Sequence, residues 1–223
     1  MAKSILILKA TIDICGNEIG LLTHHCQLLG MTVYLQKIKS EKSLNYIVKR
    51  HLKLKHKFDY VYLCTHGDIS GFDVDLGGSL TSIKWSKFSQ LMCETGILKN
   101  DTIFLLACCK GGLFQVASDI LAVCNSINFV CGVKWNVSPW DLTTGFVVFI
   151  HNIENKLAEP SYAAAKASSS TDYTFVCYDR DEIEINPQYQ NRRRDLFYEI
   201  GWVDKDGKWI EKSKKIKKNA GIT

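Results

Sequence analysis

The sequence has no apolar stretch approaching the ~18 residues that a membrane span needs. The run within Met1-Ala2-Lys3-Ser4-Ile5-Leu6-Ile7-Leu8-Lys9 is also too short for a secretory signal. Both absences set the expectation of a soluble, cytoplasmic protein without a membrane partner. No Cys-x-x-Cys pair occurs among the nine cysteines, the count is odd, and Cys108 and Cys109 are adjacent. That pattern argues against a disulfide framework and for a reducing compartment. Internal repeats are absent as well. Charge of one sign is missing from most of the chain: residues 191–223 hold ten Lys/Arg against five Asp/Glu, equal to the whole net charge of +5.

What is present is a regular alternation. A chain of 223 residues, 46% of them apolar, can bury one good core. Apolar runs bounded by polar turns predict strands at 4–11, 31–38, 59–65, 101–107, 128–134 and 173–178. Helix-like stretches intervene at 16–29, 41–56, 85–95, 112–126 and 139–168, the last interrupted at Pro160. Runs such as Val61-Tyr62-Leu63-Cys64 and Ile103-Phe104-Leu105-Leu106 lack polar alternation, as a parallel sheet covered on both faces requires. The expected architecture is a doubly wound, mostly parallel six-stranded α/β sheet over residues 1–180. Residues 181–223 read as an extension: a hairpin turning at Asp206-Gly207 between strands bearing Trp202 and Trp209, then a disordered basic end at Lys212–Lys218. A short hairpin is also expected within Asp68–Thr81, which is rich in Gly, Asp and Ser.

In open α/β sheets the site forms at the carboxyl ends of the strands. The third strand ends in Thr65-His66-Gly67 and the fourth in Ala107-Cys108-Cys109-Lys110-Gly111-Gly112, which places an imidazole and a thiol at ends that can be neighbours. The helix beginning near Gly112 would supply a dipole that favours thiolate. The backbone N–H groups of Gly67 and Cys108 would serve an oxyanion, and His66 would protonate the departing amine.

His66-Gly67 and Ala107-Cys108, each after an apolar strand, resemble the dyad of caspase-like cysteine peptidases, and the CHAT branch in particular. The resemblance extends to Leu76-Gly77-Gly78-Ser79-Leu80-Thr81, to the Ala-Cys-x-x-Gly turn at Ala107–Gly111, and to Gly132-Val133-Lys134-Trp135-Asn136-Val137 followed by Asp141-Leu142-Thr143-Thr144. It spans about residues 3–178 and departs at Lys134 and Asn136, where the family usually has Leu and Pro. It implies a caspase-like fold and endopeptidase activity on a protein substrate, with Cys108 as nucleophile and His66 as acid/base partner. It also implies Trp135 beside the substrate, and chemistry that needs neither metal nor organic cofactor. Regulation by a protein partner or signal, in a defence or cell-death pathway, is expected by analogy alone.

Other readings compete. Cys109 is the rival nucleophile, because one residue's shift at a strand end turns the side chain to the other side. Cys108 can instead be a buried structural cysteine, and Trp135 a core or interface residue. Asp68, Asp73, Asp75 and Asp141 either select a basic P1 side chain or serve as turn and capping residues. His24-His25-Cys26 lie in a helix-like stretch where adjacent positions share no face, so no metal site is expected. The functional alternatives are an inactive caspase-like domain that binds partners, and a nucleic-acid-binding module driven by Arg192-Arg193-Arg194 and the basic end.

Overall fold

Along Ile5-Leu6-Ile7-Leu8 every side chain is buried, but alternate ones enter different cores. Leu6 and Leu8 belong to one cluster, Ile5 and Ile7 to the other. Strand periodicity sends successive side chains to opposite faces, so an unbroken apolar run demands cover on both sides. A computed structural model, which describes residues 2–11, 16–75 and 80–210, supplies that cover.

The elements are β1 (Ser4–Lys9), α1 (Gly16–Leu28), β2 (Thr32–Lys37), α2 (Glu41–Lys53), β3 (Phe58–Cys64), β4 (Gly71–Val74), β5 (Thr81–Lys84), α3 (Trp85–Thr95), β6 (Leu98–Ala107), α4 (Phe114–Leu121), β7 (Ile127–Val133), α5 (Pro139–Lys156), α6 (Pro160–Ser169), β8 (Phe175–Asp179), α7 (Arg180–Glu184) and α8 (Pro187–Glu199). Six strands form one sheet in the order β2-β1-β3-β6-β7-β8. All neighbours pair in parallel except β7 and β8, which are antiparallel. β4 and β5 make a separate antiparallel pair. The protein is thus α/β with a mostly parallel six-stranded sheet, as the alternation of runs predicts.

On one face α2, α3 and α4 bury Leu44, Ile47, Trp85, Phe88, Val116 and Ile120 against Leu6, Val61, Phe104 and Leu106. On the other, α1, α5 and α6 bury Leu22, Phe146, Phe149 and Ala163 against Ile5, Tyr62 and Leu105. No helix among the described residues is long and apolar enough to cross a membrane.

The structure departs from the sequence reading in the C-terminal segment and at one cysteine pair. Beyond Asp179 the chain forms α7 and α8, and Ile183, Tyr189, Leu196 and Trp202 enter the same core as α3 and α4. The expected hairpin reduces to a single antiparallel bridge, Val203 to Trp209, around a turn where Gly207 has φ 77°. Trp202 and Trp209 stack at 6.0 Å instead of sitting on extended strands. The basic end Lys212–Lys218 and most of the Leu76–Thr81 segment lie outside the described residues. Cys131 and Cys177, expected to be free thiols, form a disulfide across β7 and β8. They are directly opposed in the ladder, a juxtaposition created by strand register and invisible to cysteine count or spacing.

Candidate active site

β3 and β6 are neighbours in register, with Cys64 opposite Ala107, so the residues that follow them emerge side by side at the carboxyl edge of the sheet. The Thr65 N–H still donates to the Ala107 carbonyl at 3.2 Å. Beyond it the chain turns sharply. Asp73 N–H donates to the His66 carbonyl (2.8 Å), Asp68 N–H to the Gly71 carbonyl (3.0 Å), and Thr65 Oγ1 to the Asp73 carbonyl (2.5 Å). Trp85 Nε1, at the start of α3, holds the Asp68 carbonyl at 2.9 Å. His66 is thereby presented on an ordered loop with its ring exposed.

The second strand end is shaped by close backbone approach. Lys110 adopts a left-handed conformation (φ 60°), and Gly112 N–H donates to the Val133 carbonyl on β7 at 2.8 Å. A Cβ at Gly112 would lie 2.6 Å from the Gly132 carbonyl oxygen, and one at Gly132 would lie 2.6 Å from the Gly112 nitrogen. Only glycines allow the turn to dock on β7 this closely.

Cys108 sits where the two strand ends meet. A Cβ on Gly67 would come within 2.8 Å of Cys108 Sγ, and one on Gly111 within 3.0 Å. The thiol is therefore wedged between the loop of His66 and its own turn. Cys108 is 1% exposed, and burial pushes its thiol well above the usual range, with Cys109 and Cys64 adding to the rise. Among the described residues neither the Gly67 nor the Cys108 N–H has a backbone acceptor, which leaves both able to serve an oxyanion.

His66, Cys108 and Cys109 line one cavity of about 100 Å³. Thr65 and Ala107 line it from the two strand ends, and its other walls, none assigned to the site from sequence, are Tyr62, Cys64, Val137, Pro139, Leu142 and Thr143. Three of these form the first turn of α5, whose N-terminus is capped by Ser138 Oγ accepting from the Asp141 N–H, with Pro139 at its start. The Ser-Pro-x-Asp pattern at 138–141 was the available signal for that helix start. α4 begins at Phe114 rather than Gly112, because Gly111 and Gly112 are committed to the turn. The helix terminus that the cavity touches is that of α5, whose positive end favours an anion.

Of the residues expected here, the structure brings His66, Gly67 and Cys108 together. Cys109, the rival, is half-buried and also lines the cavity. Trp135 is 66% exposed and is not among the lining residues, so it is neither a core residue nor a wall of this cavity. Its carbonyl accepts from Lys110 N–H at 3.3 Å. Of the four acidic residues, Asp68 acts in a turn and Asp141 at a helix cap. Ser70 Oγ and the Ser70 and Gly71 N–H groups donate to Asp68, holding its carboxyl below the usual range, and Asp141 Oδ2 accepts from Ser138 Oγ. Asp73 lies within β4 and Asp75 bridges Thr11. No cluster of three or more candidate metal ligands occurs among the described residues.

Two of the three residues in the arginine run are engaged in ion pairs, and Arg194 is exposed. Arg192 grips Asp119 at 2.7 and 3.0 Å and also pairs with Glu199, while Arg193 pairs with Glu184. Compared with known proteins, the sequence matches no family model and no curated protein.

Proposed function

We propose that the protein is a cysteine endopeptidase of the caspase-like type, with Cys108 as nucleophile and His66 as proton donor. The observation that carries this reading is the thiol of Cys108 pressed against Gly67 at adjoining strand ends, in one cavity with His66. In the first half-reaction the Cys108 sulfur bonds to the substrate carbonyl carbon, and its thiol proton passes by way of His66 to the departing amine as the C–N bond breaks. The Gly67 and Cys108 N–H groups hold the oxyanion in between. Water then attacks the thioester, releasing the carboxylic acid and restoring the thiol.

The burial of Cys108 supports a resting enzyme, because a thiol in apolar surroundings stays protonated and covered at neutral pH. Turnover then requires substrate, or a partner, to open the surroundings of Sγ. The CHAT assignment and a role in defence or cell death rest on the sequence resemblance.

The test is incubation of wild type, Cys108→Ala and His66→Ala with a diverse peptide library under reducing conditions, reading new termini by mass spectrometry. Cleavage by wild type alone is the expected outcome. Equal cleavage by Cys108→Ala would refute the assignment. A partner-binding domain without activity is the reading that burial of Cys108 would otherwise favour, and it predicts no new termini from any of the three, with partner capture unaffected by Cys108→Ala.

A further inference from the structure

We infer that the site accepts substrates with an uncharged, branched or linear aliphatic P1 side chain, of the valine, leucine or methionine class. The inference rests on the peptidase reading above. In a thiol peptidase the P1 side chain leaves the chain one atom from the carbonyl carbon that sulfur attacks. A cavity that touches both Cys108 and His66 is therefore where that side chain goes, and among the described residues the 100 Å³ space under the first turn of α5 touches both.

Its chemistry is apolar. Val137, Leu142 and the Tyr62 ring supply the walls, with Cys64 and Thr143 between them. Burial pushes the Tyr62 phenol far above its ordinary value, so it stays neutral, and the Thr143 hydroxyl donates to the Pro139 carbonyl at 3.0 Å. Tyr62 also packs edge-on against Phe146 at 5.5 Å, which fixes that wall. A basic P1 group placed here would lose its hydration and find no carboxylate in the lining, and an acidic one would meet no Lys or Arg there, with only the α5 N-terminus to offset the same loss.

Carboxylates that could answer a basic P1 are engaged or outside. Asp68 and Asp141 are held in their turn and cap. Glu18 is buried, and its Oε2 has no partner among the described residues. It does not line the cavity.

Size narrows the class further. An enclosed apolar protein cavity of about 150 Å³ holds benzene, so the 100 Å³ space here favours an aliphatic group over a large aromatic ring.

The experiment uses a set of peptidyl acyloxymethyl ketones that share every position except P1, which is Ala, Val, Leu, Met, Phe, Asp or Lys. The Cys108 thiolate displaces the carboxylate leaving group, forming a C–S bond as the C–O bond breaks, and tandem mass spectrometry locates the thioether. Modification of Cys108 at least ~30-fold faster by the Val, Leu or Met probe than by the Asp or Lys probe is expected. Leu142→Phe, which fills the cavity, should slow the Leu probe about 10-fold more than the Ala probe. Fastest modification of Cys108 by Asp, Lys or Phe would overturn the P1 class while leaving the peptidase reading in place. Absence of modification at Cys108 by every probe would overturn both.

Discussion

Arg180 gives the fold its most quantifiable weak point. Its side chain is buried at the start of α7, and its guanidinium donates to three carbonyls: Leu121 at 2.8 Å, Cys124 at 2.5 Å and Ile127 at 2.7 and 3.0 Å. Glu184 accepts from it at 3.1 Å. The group closes the C-terminal end of α4, the helix that follows the Cys108 turn, and ties it to the segment beyond β8. Arg180→Ala would strip the side-chain donor from the buried Leu121 and Ile127 carbonyls, while the Cys124 carbonyl would keep the Ile127 N–H at 3.2 Å and Glu184 would keep Arg193. Each orphaned buried acceptor costs about 1–3 kcal/mol, and entry of water makes the sum less than additive, so a total loss of about 3–5 kcal/mol is expected, in the range for breaking a buried charged contact. In a chain of this size that corresponds to a fall in Tm of about 6–20 °C. Arg180→Lys keeps the charge but cannot fork to three acceptors, and should fall between wild type and alanine. Urea unfolding followed by far-UV circular dichroism at pH 7 measures both. A loss under ~1 kcal/mol for Arg180→Ala would refute the claim that this side chain holds the α4 end.

Gly67→Ala keeps the backbone N–H but places a methyl 2.8 Å from Cys108 Sγ; displacing the sulfur or the His66 loop should leave the far-UV spectrum unchanged while peptide turnover drops on the order of 10²-fold, the cost of misplacing a reacting group by about 1 Å, and near-normal kcat/KM would show that the contact has no catalytic meaning. Gly112→Ala meets the Gly132 carbonyl at 2.6 Å, a backbone atom that cannot swing aside, so a stability loss of about 1–3 kcal/mol is expected in thermal melts. His51 is buried between Tyr34, His56 and Phe58, with its Nδ1 2.9 Å from His56 Nδ1. Burial, then His56 and Arg50, lower its pKa. The unfolded chain therefore binds the extra proton first, and the stability this site contributes is full above the unfolded value of about 6.5 and is lost as pH falls through it. His51→Gln should flatten that part of the stability profile between pH 7 and 5, and an unchanged slope would exclude His51 as its source.

Much of this was legible in the sequence where one physical rule dominates. The central strands β1, β3 and β6 announce themselves because strands buried on both faces must be apolar along their buried lengths, the half-buried edge strands β2 and β8 by bounded apolar runs, and α3 because its Trp85–Thr95 pattern starts and stops cleanly, with Gly96 in the left-handed conformation at its end. His66, Gly67 and Cys108 were legible from strand-end position. Helix α8 was not. It buries only Tyr189 and Leu196, seven residues apart and separated by Gln190, Asn191 and three arginines, so its apolar period is too sparse to see. The cavity walls on α5 were missed for a different reason: Leu142 and Thr143 read as ordinary helix residues, and only the tertiary placement of α5 over β3 and β6 turns them toward Cys108. The resemblance implies Trp135 beside the substrate; the structure leaves it 66% exposed, and Val137 is the residue of that segment that lines the cavity.

The central claim is that Cys108, and not the more accessible Cys109, becomes acylated. Reacting the reduced protein with the p-nitrophenyl ester of an N-blocked leucine, quenching in acid and mapping the acyl group by tandem mass spectrometry tests it directly. The account predicts a thioester on Cys108 that persists in Cys109→Ala and is absent in Cys108→Ala. A thioester on Cys109 in the wild-type protein, with Cys108 unmodified, would contradict it.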